Sequence, residues 1–149
     1  MLATRFVEIS ETLPEGVNLL AVSKGRPTSS IRRLVELGHR DFGESRLQEA
    51  LPKLDSFKKI DGMRWHFIGR LQANKVRGVV RLFEYIHSVD SLSLAERISR
   101  ISGEEKLSPQ VMLQVKFLED PTKGGFAPAQ VLEIWPQLNF ISKDIDEQL

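Results

Sequence analysis

The stretch Val17-Asn18-Leu19-Leu20-Ala21-Val22-Ser23-Lys24-Gly25-Arg26-Pro27-Thr28 decides the fold class. Its first part, Val17 to Ser23, is a nearly continuous apolar run. Such runs suit a strand covered on both faces, as in a parallel sheet. The character then changes at once. Lys24-Gly25 is polar, and Pro27-Thr28-Ser29 opens a helix. Thr28 or Ser29 is expected to cap that helix. Ile31, Leu34, Val35 and Leu37 form its apolar stripe, and Gly38 suits the C′ position. A buried strand feeding an amphipathic helix is the repeating unit of α/β proteins.

The same alternation continues on both sides. Upstream, Leu2, Phe6, Ile9 and Leu13 repeat at helical spacing until Pro14-Glu15-Gly16. Downstream, 39–43 reads as a short second strand and 45–54 as a helix whose last turn Pro52 weakens. Residues 64–69 form a third strand, 72–82 a helix and 83–89 a fourth strand. Asp90 is expected to cap the next helix, with Leu94, Ala95, Ile98 and Ile101 buried. A polar loop over 103–109 leads to a fifth strand over 110–117. A turn-rich loop over 120–125 and a short helix over 128–138 follow. Residues 139–143 are expected to start a sixth strand, before the acidic stretch 144–149. Strands and helices recurring every ~20–25 residues predict parallel β/α units in one domain over 1–149.

The chain has 149 residues, ordinary for one domain. Hydrophobic residues make up 41% and charged residues 28%, the balance of a soluble globular chain. With 21 basic and 20 acidic residues, no global field draws it to nucleic acid or an anionic membrane. The absence of cysteine excludes disulfides, thiolate catalysis and cysteine-ligated metal, and fits a reducing compartment. No apolar run is long enough to span a bilayer, and the start shows no secretory h-region. The expected location is the cytoplasm.

Parallel α/β sheets bind ligands at the carboxyl ends of their strands. After the first strand stands Lys24. One reading is a solvated lysine at a strand end. The other is a desolvated amine with a lowered pKa, able to attack an aldehyde and form a Schiff base, with Gly25 leaving room beside it. After the second strand, Glu44 is placed to pair with a cation and Ser45 to cap the next helix. His66 shares a strand face with Ile68, opposite Trp65 and Phe67. Such a histidine reads first as a hydrogen-bonded core residue and second as an acid–base group. His66 and His87 give no metal-ligand spacing. Arg70, Lys75, Arg77 and Arg81 form a basic cluster, read as a solvated face or a phosphate contact.

Taken together, the strand ends resemble a known family. The residues are Ala21-Val22-Ser23-Lys24, Phe42-Gly43-Glu44-Ser45 with Gln48-Glu49, and Trp65-His66-Phe67-Ile68-Gly69 with Leu71-Gln72 and Asn74-Lys75. Ile86-His87-Ser88-Val89-Asp90, Gln114-Val115 and Lys123-Gly124 complete the set. They resemble the pyridoxal phosphate homeostasis proteins, relatives of the alanine racemase N-terminal barrel, over residues 1–138. Residues 139–149 do not match.

The resemblance implies a TIM-type (β/α)8 barrel, of which about five units fit in this length. It implies pyridoxal 5′-phosphate held as a Schiff base on Lys24, with Ser45, His66 and Ile68 among the cofactor contacts. Many members have asparagine where this chain has Ser45, so one polar contact differs. The implied role is intracellular pyridoxal phosphate and amino-acid homeostasis without catalytic turnover. No catalytic residue and no metal are expected. The only expected partner is a small-molecule cofactor, not nucleic acid or membrane. The family's full-length state is a monomer. The glycine- and serine-rich turns that hold the cofactor phosphate do not occur here, so the chain reads as C-terminally truncated. Two alternatives accompany this reading: a non-binding interaction fragment that self-associates through open barrel edges, and a racemase-like enzyme. The latter needs an acid–base group on each face of the cofactor.

Overall fold

The computed structural model describes residues 1–118 and 120–148, with only the backbone described over 139–148. The chain divides into two compact units, Met1–His66 and Phe67–Leu149.

The first unit runs α1 (Leu2–Thr12), β1 (Ala21–Val22), α2 (Thr28–Glu36), β2 (Asp41–Glu44), α3 (Leu47–Phe57) and β3, which begins at Arg64 and ends at Phe67. Its strands lie in the order β1-β2-β3. β1 and β2 are parallel, with Ala21 opposite Phe42 and Val22 opposite Gly43. Ile31, Leu34 and Val35 of α2, Phe42 of β2, Ala50, Leu54 and Phe57 of α3, and Trp65 of β3 are buried. An aromatic chain runs through this core. Phe6 meets His39 edge-on at 5.1 Å, His39 meets Phe42 at 5.1 Å, and Phe42 lies 5.7 Å from Trp65.

Four local expectations are corrected in this unit. The first apolar run is a ladder strand only at Ala21–Val22, and it is not covered on both faces, since Val17 and Val22 are each 50% exposed. Composition marks the run as apolar but does not report which of its residues the neighbouring elements cover. Neither Thr28 nor Ser29 caps α2. Both already have helical backbone, and Pro27 takes the N-cap position, its carbonyl accepting from Ser30 N at 3.0 Å. Leu37 falls beyond the last turn and is exposed rather than on the stripe. Gly38 does end the helix, at φ +89°, a conformation that glycine adopts without steric cost. α3 continues through Pro52 to Phe57. Its buried face outweighs the hydrogen bond that the proline removes.

The second unit contains the end of β3, a 3₁₀ turn (Ala73–Lys75), α4 (Val76–Leu82), β4 (Tyr85–Val89), α5 (Leu92–Glu105), β5 (Gln110–Leu113) and α6 (Pro128–Gln148). β4 and β5 are parallel, pairing Tyr85 with Gln110 and Ile86 with Val111. Val76, Val79, Val80, Phe83, Ile86, Val89, Ile98 and Ile101 are buried, and Phe67 meets Phe83 edge-on at 5.3 Å.

Here too the boundaries differ from expectation. The α5 cap is Ser91, not Asp90: Ser91 Oγ accepts from Leu94 N, while Asp90 precedes the cap. α5 passes through Gly103 and stops at Lys106, which takes the left-handed conformation (φ 54°). β5 ends four residues early. Val115 makes an isolated bridge to Phe126, and Phe117 is 83% exposed. The sixth strand expected over 139–143 is helix, and the helix expected to stop at Leu138 runs to Gln148. Ile134, Leu138, Ile141 and Ile145 recur at helical spacing, and helix-compatible Lys, Glu and Gln follow. Among the described residues, no helix is long and apolar enough to cross a membrane.

Candidate functional site

Lys24 is the second residue past the end of β1, flanked by Ser23 and Gly25. The burial that would desolvate it is absent, because Lys24 is exposed. What the structure builds instead is a set of ties on either side of it. Ser23 is buried, and its hydroxyl donates to Glu44 Oε1 at 2.6 Å. Gly25 N donates to Glu49 Oε1 at 2.5 Å. Gly25 has φ +67°, which a side-chain-bearing residue would adopt at a cost.

Lys53 joins these ties. It is only 6% exposed, and its ammonium donates to Ser23 O at 2.9 Å, Glu44 Oε1 at 2.8 Å and Glu49 Oε1 at 3.0 Å. Three protons meet three acceptors, so the ammonium is fully satisfied. Burial pushes the Lys53 pKa down, but the hydrogen bonds to Glu44 and Glu49 more than offset it and the net direction is up. Glu49 is held below the usual carboxylate range, first by the Gly25 amide and then by Lys53. Attack on a carbonyl needs a free lone pair on nitrogen. Lys53 has none to offer, and the exposed amine beside it is Lys24.

Sequence reading placed a cation opposite Glu44 but did not identify Lys53. The signal was present. Ala50, Lys53, Leu54 and Phe57 share helical spacing and are all buried, which puts a lysine in a core position. Glu49 stands four residues before it, the favourable order for a helix pair.

The other sequence candidates separate. Ser45 does not cap α3, whose N-cap is Arg46; its Oγ is buried without a hydrogen-bond partner among the described residues. Glu44 Oε2 is in the same condition. His66 is buried, with Nε2 3.1 Å from Asp41 Oδ1. Asp41 also takes a two-pronged contact from Arg64, with Nε at 2.6 Å from Oδ1 and the second prong on Oδ2. That contact, above all, holds Asp41 below the usual carboxylate range. Asp41 begins β2 and Glu44 ends it, so His66 engages the opposite end of the strand from the Ser23–Glu44–Lys53 ties. Ile68 lies in the second unit and is half-buried.

Two members of the basic cluster, Arg77 and Arg81, are ion-paired in the second unit. Arg77 pairs with Glu104 and Glu105, and Arg81 donates to both oxygens of Glu105 at 2.6 and 3.0 Å. These pairs tie α4 to α5. Among the described residues, no group of three or more His, Asp or Glu is arranged to hold a metal.

Parallel β/α units with polar side chains gathered at strand ends define an α/β protein of the barrel-forming type. The chain belongs to the family of the alanine racemase N-terminal domain, whose model matches residues 2–146. It is similar to the pyridoxal phosphate homeostasis protein of Synechocystis, at 45% identity over 136 residues, covering 91% of this chain and 62% of that protein. It is also similar to two solved structures of PipY from Synechococcus elongatus PCC7942. The form without PLP has a TM-score of 0.91 at 45% identity, covering 95% of this chain and 66% of that one. The form with PLP bound has a TM-score of 0.89 at 43% identity, covering 95% and 65%. The chain thus spans less than two thirds of the curated relative's length. The fold class is the one expected, parallel β/α units of a TIM-type barrel, with five strands among the described residues.

Proposed function

We propose that this chain carries the amine end of a pyridoxal 5′-phosphate site, with Lys24 as the residue that holds the cofactor as a Schiff base. The observation that carries the proposal is the contrast between the two lysines at the β1 end: Lys53 saturated by three acceptors, Lys24 exposed between two tethered neighbours. The relatives' names support it, as does the PLP bound to a 43% identical structure. The cofactor supplies an aldehyde. The bond formed joins Lys24 Nζ to the aldehyde carbon, and the aldehyde oxygen leaves as water, with no redox change. Ser45, whose buried hydroxyl lacks a partner, is the further contact proposed here.

The role is that of a carrier in intracellular pyridoxal phosphate and amino-acid homeostasis, without turnover of its own. Racemisation calls for an acid–base group on each face of the cofactor. Lys53 and Glu49 are committed to each other and to backbone, so they are poor candidates for that work. The test is borohydride reduction of the protein with pyridoxal 5′-phosphate, followed by peptide mass mapping. The label is expected on Lys24, and the imine absorbance band is expected to vanish in Lys24→Ala. A label spread evenly over surface lysines overturns the proposal. Alanine turnover in the loaded protein overturns the carrier role.

A further inference from the structure

Lys24 does not stand at an ordinary strand end. The residue before it is gripped twice, through the Ser23 carbonyl by Lys53 and through the Ser23 hydroxyl by Glu44. The residue after it is gripped through the Gly25 amide by Glu49. Both grips converge on one ammonium, since Lys53 binds Glu44 Oε1 and Glu49 Oε1 together. The path from Ser23 through Lys53 and Glu49 to Gly25 is a closed ring that passes around Lys24. All of its side-chain members beyond β1 come from the β2 end and from α3, two elements of the same unit.

We infer that Glu49 and Lys53 are positioning residues for Lys24: they fix the backbone on both sides of it and so set the direction in which its amine leaves the strand. The inference deepens the cofactor reading above and rests on it. A lysine on a loose backbone loses both backbone and side-chain freedom when it is ordered. A fixed root removes the backbone's share of that loss before any ligand arrives, which is the general gain from preorganisation. Glu49 is the member to test. Its side chain is about one-third exposed, and its removal leaves the buried Lys53 ammonium still paired with Glu44, whereas truncating Lys53 strands Glu44.

The experiment compares wild type, Glu49→Ala and Glu49→Gln in the full chain. Without cofactor, amide hydrogen exchange at Gly25 is expected to rise roughly tenfold in Glu49→Ala, and to return towards wild type in Glu49→Gln, whose amide oxygen still accepts. With pyridoxal 5′-phosphate and borohydride, the initial labelling rate of Lys24 is measured against that of exposed Lys58 in the same sample. The Lys24/Lys58 ratio is expected to fall roughly tenfold in Glu49→Ala and to recover at least threefold in Glu49→Gln. Lys53 stays unlabelled throughout, which a generally loosened fold would not allow. An unchanged ratio in Glu49→Ala after Gly25 protection is lost overturns the inference, as does a glutamine variant no better than alanine. If wild type itself labels Lys24 no faster than Lys58, the cofactor reading fails, and that is visible in the wild-type sample alone.

Discussion

The first unit holds a buried network of charged side chains and the second a surface one, and the two obey different physics. In the first, Lys53 sits buried between Glu44, which is fully buried, and Glu49, with a backbone carbonyl as third acceptor. In the second, Arg77, Arg81 and Arg100 share Glu104 and Glu105 across the surface of α4 and α5, and all three arginines are exposed by two-fifths or more. The surface network has more ion pairs, yet water and salt screen each of them. The buried one has fewer, but it has no alternative partners. Charges held in low dielectric cost several kcal/mol each to desolvate and tolerate no loss of a partner. That rigidity is what a site needs. The same chemistry on the surface only joins two helices and occupies two of the four cations of the basic cluster.

The sharpest way to break the contrast is Lys53→Ala. It leaves the Glu44 carboxylate buried with only the Ser23 hydroxyl for company. The expected loss is about 3–5 kcal/mol of stability, read from the urea unfolding midpoint. Lys53→Met with Glu44→Leu is expected to recover most of it, because a matched apolar pair carries no stranded charge. A single mutant within about 1 kcal/mol of wild type would put Lys53 on the same footing as a surface lysine.

Acid and alkali probe the first unit more gently. Burial holds His39 below its ordinary 6.5, between the Phe6 and Phe42 rings. Its contribution is therefore present above pH 6.5 and is lost as pH falls below that value. Asp41 and Glu49 are held below their ordinary 3.8 and 4.5. Their contribution is complete above those values and is lost as pH drops through the lower folded-state ones. Lys53 is raised above 10.5, so its contribution is complete below that value and disappears as pH climbs through the higher folded-state one. Buried Trp65 reports on the first unit. Its unfolding midpoint is expected to decline in steps, first below pH 6.5, then below about 4, and again above about 10.5. Loss of the alkaline limb alone in Lys53→Ala would assign that limb to Lys53.

The contrast also marks what the sequence made legible. Apolar runs alternating with amphipathic stripes revealed five strands and their order, because composition and period respond directly to burial. Lys24 stood out because a charge ending an apolar run is conspicuous. Lys53 did not, because an i, i+4 Glu–Lys pair is ordinary on a solvated helix face, and only the fold shows that this face is covered. Ser45 has the residue type of a cap, but the chain takes one more residue to turn into α3. The sixth strand failed for a related reason. Asn139-Phe140-Ile141 has strand-like content, while the helical repeat that overrides it becomes visible only when Ile134 and Ile145 are read together.

The smallest effect belongs to the surface network, and it completes the comparison. Glu105 is its most shared member, accepting from Arg77 and from both donors of Arg81. Arg81 lies first and Arg77 second among the groups that hold Glu105 below the ordinary carboxylate range. Glu105→Gln removes the charge and keeps one acceptor oxygen. The thermal midpoint is expected to drop by no more than about 3 °C at low salt, and the difference from wild type is expected to close by half or more in 0.5 M sodium chloride. Lys53→Ala, by contrast, should lose nearly the same stability at either salt concentration, because the Debye atmosphere does not reach a buried pair. If Glu105→Gln proved as costly and as salt-insensitive as Lys53→Ala, the α4–α5 pairs would have to be desolvated, and burial would no longer distinguish the two networks.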